Sequence, residues 1–363
     1  MFLNESCLHQ DKHFAQIRRE RMEKILSVSI ASYNVEKFIR KALDSCCVPE
    51  IMDRLEVLVV NDGSKDGSLA IAQAYAKRYP RTVTVIDKEN GGHGSTINAG
   101  LQAAKGKYFR VLDSDDWFDT CNFVKYFRDL RHCGEDVVIT PYTQEYTFNG
   151  QRVDYAYSYF KHDRVYQMED LVFDETMPYF TMASSTYRTA VLRESGLHLF
   201  EKCFYVDMIF NMVPIPYVKT VRFLNHYVYR YFMGSPTQSM SQANLMRNLP
   251  NHERVLNFLI DYYVAHRETV GDNVRNYMEQ MIYFMYYTHM DLVCMKLSDR
   301  KKAYKMFREL DESLKARAPE LYLRVAVFPY LRVTRRLHYL NIRAGNKAFV
   351  GAMNLAKRIL RRG

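Results

Sequence analysis

Three loops, each following an apolar run, are where this sequence could do chemistry. The most informative is Val111-Leu-Asp-Ser-Asp-Asp-Trp117. On an extended chain Asp113 and Asp115 project to the same side, while Asp116 projects oppositely or begins the next turn. Paired carboxylates suit a hard divalent cation: Mg2+ or Mn2+ held by one or two of them keeps positions open for water and for the oxygens of a diphosphate leaving group. A second loop, Val59-Val-Asn-Asp-Gly-Ser-Lys-Asp-Gly-Ser68, sets Asp62 just beyond an apolar run, with Gly63 free to turn tightly. Asp62 can accept hydrogen bonds from a base or a ribose, although Asp-Gly-Ser taken alone more commonly caps the following helix. In the third, Asn90-Gly-Gly-His-Gly-Ser-Thr-Ile-Asn-Ala-Gly100, the glycines let backbone approach a bulky ligand, without matching Gly-x-Gly-x-x-Gly. His93 could touch a diphosphate or an acceptor, but a lone loop histidine is more often structural. One Asp-x-Asp is usually a solvated turn; three such loops at three strand ends point toward a site.

The elements that must position these loops are legible as alternating short β-rich runs and helical patterns. Strands are expected from Leu26, Leu55, Thr82, Tyr108 and Val137, with helices near Val35–Cys47, Ser68–Tyr79, Ser95–Lys105 and Asp119–Cys133. Such alternation predicts an α/β fold with a mostly parallel, Rossmann-like sheet flanked by helices, whose ligands gather beyond the carboxyl ends of the strands. After Pro141 come aromatic-rich alternating runs separated by Asn149-Gly150, a hairpin signal. From about Leu245 the spacing is helical, and a boundary is placed near residue 242. The expected organisation is a charged N-terminal extension over 1–24, a catalytic domain over 25–242 and a helical C-terminal region over 243–363.

Composition bounds the alternatives. A chain of 363 residues, 48% hydrophobic and 25% charged, can bury a sizeable core, which excludes wholesale disorder and fibre. Seven cysteines without a Cys-x-x-Cys pair suggest neither a disulfide framework nor a zinc ribbon, and fit a reducing, cytoplasmic compartment. The charged start lacks the apolar run of a secretory signal, and no stretch of about 18 uncharged apolar residues is present. The net charge of +10 is concentrated: from Leu321 onward there are ten Lys and Arg and no Asp or Glu. A protein coated for nucleic acid is therefore disfavoured, and a localised anionic partner is expected. At helical spacing Phe349, Ala352, Met353, Ala356, Ile359 and Leu360 share one arc opposite Lys347, Arg358, Arg361 and Arg362. That is a basic amphipathic segment suited either to the inner face of an anionic membrane or to packing on its own domain.

In order and spacing, Ser27-Val-Ser-Ile with Tyr33-Asn34, Val60-Asn-Asp-Gly-Ser-Lys-Asp-Gly-Ser, Asn90-Gly-Gly-His-Gly-Ser and Leu112-Asp-Ser-Asp-Asp-Trp resemble glycosyltransferase family 2. The resemblance is strong over about residues 25–120 and continues more thinly to about 242 through Tyr187-Arg188, Phe204-Tyr-Val-Asp207 and Tyr229-Arg230 with Ser239. It implies a GT-A fold and inverting transfer of a sugar from a nucleotide diphosphate, a UDP-sugar being favoured, to a glycan or lipid-linked acceptor of cell-surface polysaccharide synthesis. Carried over by position, it implies that Ser32, Tyr33, Asp62 and His93 line the nucleotide-sugar pocket. Asp113 would address ribose and metal, Asp115 the metal (Mn2+ or Mg2+), and Arg230 the diphosphate, with His226 and Ser239 as weaker neighbours. Asp207 would be the general base. Two departures are Ala31, where proline is common in the family, and Val206-Asp207 in place of the usual Glu-Asp pair. The rival readings are a catalytically silent carbohydrate-binding or membrane scaffold of the same fold, and a sugar-phosphate nucleotidyltransferase. The latter is disfavoured because Ala31-Ser-Tyr-Asn-Val-Glu-Lys replaces the Gly-rich, Arg-containing loop that those enzymes share after the first strand.

Overall fold

The computed structural model describes residues 23–146, 148–174, 179–233 and 242–344. Most of the N-terminal extension, Ser239 and the amphipathic segment 347–362 lie outside the described residues. The chain divides into two compact units: Met1–Leu171 with Phe180–Ser235, and Val172–Tyr179 with Pro236–Gly363.

The first unit is the expected α/β structure. Strands β1 (Leu26–Ser32), β2 (Leu55–Asp62), β3 (Val83–Lys88) and β4 (Tyr108–Asp113) lie side by side and parallel in the order β3-β2-β1-β4. β1 and β2 are buried almost throughout, as their unbroken apolar runs require of strands covered on both faces. Their register aligns Ser32 with Asn61, Ala31 with Asp113 and Asp62 with Lys88, so the acid-bearing ends share one rim of the sheet. The sheet continues beyond β4 through β10 (Ser185–Arg188), β6 (Val137–Ile139), β11 (Thr220–Phe223) and β9 (Val165–Gln167), with mixed direction.

A second sheet, not foreseen from local pattern, joins β5 (Trp117–Phe118), β12 (Tyr229–Met233), β7 (Tyr142–Tyr146) and β8 (Gln151–Tyr155) in the order β5-β12-β7-β8. Its β7–β8 pair is the hairpin announced by Asn149-Gly150, and Gly150 supplies the left-handed turn residue at φ 70°.

The helices of this unit are α1 (Ile39–Cys46), α2 (Ser68–Arg78), α3 (His93–Ala103), α4 (Thr120–Leu130), α5 (Thr189–Glu194) and α6 (Val206–Met212). α1 begins four residues later than its periodicity predicts, since the preceding segment is tied to its neighbour: Val35 N–H donates to Ser68 Oγ at 2.8 Å and Glu36 N–H to Asp66 Oδ2 at 3.1 Å. The Asp119 side chain caps α4 by accepting from Asn122 N–H at 3.0 Å.

The second unit is helical: α7 (Gln242–Arg247), α8 (Leu249–His266), α9 (Asp272–Met290), α10 (Arg300–Arg317), α11 (Pro319–Arg324), α12 (Pro329–Arg336) and α13 (Leu340–Ala344). Asp311 of α10 is wholly buried and accepts from Arg335 Nε at 2.8 Å, Arg335 Nη2 at 2.6 Å and Tyr339 Oη at 2.8 Å, and also from Tyr286. This two-pronged buried pair fixes α12 and the turn after it against α10. No described helix is long and apolar enough to cross a membrane.

Candidate active site

At the β2 end, Asp62 is buried and saturated with donors: Gly91 N–H at 2.9 Å, Gly92 N–H at 2.8 Å, Lys88 Nζ at 2.8 Å and Ser95 Oγ at 3.3 Å. Burial alone would raise its pKa, but the bonds from Gly91, Lys88 and Gly92 outweigh it and hold the carboxyl below the usual range. Asp62 therefore does not cap α2. It sets the glycine loop ahead of α3, where Gly92 turns at φ 83°. The residue serving α2 is Asp66, which accepts from Ser68 N–H at 3.0 Å.

That loop delivers His93 to the β4 end. His93 Nε2 lies 3.0 Å from Asp113 Oδ1. Burial disfavours imidazolium, yet Asp113, and then Asp207 and Asp115, outweigh burial and raise the His93 pKa. Burial and the neighbouring Asp113 push Asp115 up to about 6, with its own backbone N–H and His93 opposing. Asp207 sits in the first turn of α6, directly after Tyr205 in the left-handed region at φ 65°. It is raised by burial, with His93 opposing and Asp113 adding to the shift. Asp113, Asp115, His93 and Asp207, spread over 115 positions of the sequence, thus stand close enough to shift one another's ionisation.

Asp116 has a separate task. It is buried, accepts from Tyr229 Oη at 2.6 Å and from Phe232 N–H at 2.7 Å, and so anchors β12 to the Asp113–Asp116 turn. Tyr229 Oη in turn accepts from Asp113 N–H at 3.2 Å. Tyr231, on the same face of β12, has its phenol pKa raised by burial and then by Asp113, Asp116, Asp207 and Asp115. Sequence reasoning gave neither tyrosine a role in the site, although Tyr229-Arg230 is among the motif residues. The alternation Tyr229-Arg-Tyr231 marks a strand with both rings on one face, but not which strands it pairs with.

The first loop completes the rim. Ser32 is buried, and its Oγ has no hydrogen-bond partner among the described residues; the same holds for Asn61 Oδ1 beside it. Unpaired buried acceptors and donors at a strand end are what a polar ligand would satisfy. Tyr33 stands half exposed next to Ser32.

Arg230, expected at the diphosphate, has its guanidinium held by Asp119 at 2.9 Å and Glu145 at 3.3 Å. His226 lies 2.6 Å from Asp129. A shallow hollow lined by Met52, Asp53, Arg78, Tyr79 and Arg81 lies at the amino ends of β2 and β3, the opposite rim from the acids.

Among the described residues no three His, Cys, Asp or Glu side chains are placed to hold a metal by themselves. The donor set nevertheless suits Mg2+ or Mn2+: two carboxylates two positions apart offer hard oxygen ligands, and such ions take their remaining ligands from water and phosphate.

Residues 27–196 match the family described as Glycosyl transferase family 2. EpsH of Bacillus subtilis (strain 168), which bears a glycosyltransferase designation, is 40% identical over 133 residues, 36% of this chain and 37% of that protein. The minor teichoic acid biosynthesis protein GgaB of the same organism is 36% identical over 118 residues, 32% of this chain and 13% of its own length. These matches span little more than a third of the curated relatives at most. Among solved structures, S. aureus TarS 1-349 in complex with UDP-GlcNAc superposes with a TM-score of 0.63 at 17% identity, covering 88% of this chain and 90% of that one. That likeness establishes the shared fold.

Proposed function

Because residues 27–196 belong to glycosyltransferase family 2, we propose that this chain moves a sugar, with inversion, from a nucleotide diphosphate sugar to a hydroxyl of a saccharide or lipid-linked glycan in cell-surface polysaccharide synthesis. The observation that carries this reading is the meeting of Asp113, Asp115, His93 and Asp207 at one rim, beside the unpaired Ser32 Oγ and Asn61 Oδ1. Ser32, Tyr33 and Asn61 would receive the nucleoside, and the backbone around His93, fixed by Asp62, would border the diphosphate. Asp113 and Asp115 would hold Mn2+ or Mg2+. Bound there, the cation would offset charge gathering on the departing nucleoside diphosphate.

Asp207 would take the proton from the acceptor hydroxyl as its oxygen attacks the anomeric carbon and the bond to the diphosphate oxygen breaks. Its raised pKa, due first to burial, suits a base that must hold that proton. His93, 3.0 Å from Asp113 and near enough to Asp207 to feel its charge, limits the repulsion among the acids. A UDP-sugar heads the donor candidates, since the TarS neighbour carries UDP-GlcNAc. The relation to a teichoic acid protein favours a cell-wall acceptor, and a lipid-linked one would place the reaction on the inner membrane face.

The direct test is a thermal-shift panel of UDP-, GDP- and dTDP-sugars with and without Mn2+. One nucleotide class should raise the melting temperature more strongly with Mn2+ than without. If no donor stabilises the chain under either condition, the donor-binding reading fails.

A further inference from the structure

The end of the second unit exposes an unusual set of side chains. Leu323 is 70% exposed, Val327 57%, Leu337 47% and Leu340 56%. The same short helices and the segments joining them bury Leu321, Val325, Tyr330, Leu331, Thr334, Tyr339 and Ile342. The inward face is therefore already filled, and the outward aliphatic residues are surplus to the core. Leu323 and Val327 are one turn apart along the chain. In α12, Pro329, Arg332 and Arg336 fall on the exposed side, and in α13 Leu340, Arg343 and Ala344 do.

Charge shows what this surface fits. Of the arginines here, Arg324 is paired with Glu279 and Arg335 with Asp311. Arg332, Arg336 and Arg343 are exposed and make no ion pair among the described residues. His338 is exposed between Leu337 and Tyr339. From Leu321 to the last residue there is no Asp or Glu, and the chain continues past Ala344 with five more cations. Exposed aliphatic residues interspersed with unpaired arginines, without acids, match the boundary between acyl chains and anionic headgroups. A nucleic-acid surface would call instead for phosphate-facing cations with aromatic rings or polar base readers, and the large exposed apolar side chains here are Leu and Val.

We propose that the outward face of α11, α12, α13 and the short segments joining them, with Leu323, Val327, Leu337 and Leu340 as apolar contacts and Arg332, Arg336 and Arg343 as the charge contacts, docks this protein on an anionic lipid surface. This goes beyond the transfer reaction and does not depend on it. It also differs from an anchor formed by residues 347–362 alone, because the side chains named lie ahead of that segment.

The experiment is flotation of the full chain with phosphatidylcholine vesicles, with and without phosphatidylglycerol. The wild type should float with the anionic vesicles, less so as salt rises, and remain behind with phosphatidylcholine alone. A fourfold variant, Leu323→Gln, Val327→Gln, Leu337→Gln and Leu340→Gln, should bind at least about tenfold more weakly. Each of Arg332→Gln, Arg336→Gln and Arg343→Gln should cost about fivefold. These exposed single changes keep the test valid if the fourfold variant folds poorly. Flotation of all variants equal to wild type, or none by the wild type, would overturn the proposal. So would self-association that the fourfold variant abolishes without any flotation, which would give the face to a second copy. Donor stabilisation by nucleotide sugars should be unchanged in every variant, separating failure here from failure of the transfer reading.

Discussion

In the proposed reaction Asp207 carries the proton, so its removal is the sharpest probe at the scale of single residues. Asp207→Asn keeps the shape and removes the base; turnover should fall by about 10²–10⁴-fold, with the donor-induced thermal shift retained. Full activity in that variant would reject Asp207 as base. Asp115→Asn should instead abolish the Mn2+ dependence of donor stabilisation, and an unaltered dependence would remove Asp115 from the metal site. The five acids of this rim, Asp62, Asp113, Asp115, Asp116 and Asp207, do not carry equal weight as signs of catalysis. Asp62 is consumed by four donors that shape the glycine loop, and Asp116 by Tyr229 and Phe232, so a silent relative would need both for folding alone. Tyr229→Phe tests the structural half of this division. It strips the buried Asp116 of a 2.6 Å bond and Asp113 N–H of its acceptor, and should cost about 1–3 kcal/mol in urea unfolding.

At the scale of elements, Asp207 reaches the rim because α3 holds the segment leading into α6. Asn98 of α3 brackets Leu199, donating to its carbonyl and accepting from its N–H, each at 2.9 Å. Lys202 N–H donates to Gly91 carbonyl at 2.6 Å. Gly94 admits the Phe200 carbonyl so closely that an added Cβ would lie 2.3 Å from that oxygen. Gly94→Ala must therefore push the Leu199–Lys202 segment away from α3. The expected result is a modest loss of stability, about 1–3 kcal/mol, with a disproportionate loss of transfer, about 10²-fold, because Asp207 is displaced from His93. Equal activity in wild type and variant would show that this docking does not set the base. None of this docking is legible in the sequence, where Gly94 looks like one more glycine of a permissive loop. Strands β1, β2 and β4 are legible, since strands buried on both faces are written as continuous apolar runs, and so are the acids at their ends. The second sheet is not: β12 pairs with β7 across 87 positions, and no local period encodes that register. The ion pairs of Arg230 are hidden for the same reason, as Asp119 and Glu145 reach it through the pairing of β12 with β5 and β7.

At the scale of whole units, the helical unit carries a pH dependence of its own. His252 of α8 and His289 of α9 are wholly buried, face each other with Nδ1 atoms 3.4 Å apart, and have ring centres 5.4 Å apart. Burial lowers His252 to about 4; burial, then the neighbouring His252, lowers His289 to about 3. Both shifts favour the uncharged form, so both rings are neutral in the folded state near neutrality. In the unfolded chain each takes up a proton near pH 6.5. Their neutral burial thus contributes stability that is fully present above about pH 6.5 and drains away as pH falls toward about 4, where the unfolded state binds protons the folded one refuses. The loss should be on the order of a few kcal/mol for the pair by the lower end of that window. Amide exchange along Val255–Tyr263 reads this unit separately from the α/β unit, which matters because a chain of two units need not unfold in one step. Protection there, the observed exchange rate measured against the intrinsic one, should fall as pH drops from about 6.5 to about 4. In the double variant His252→Leu, His289→Leu both members of the polar pair are gone, so stability near pH 8 should change little and the acid-side loss should flatten. An acid-side loss as steep in the variant as in the wild type would assign the pH sensitivity to other groups.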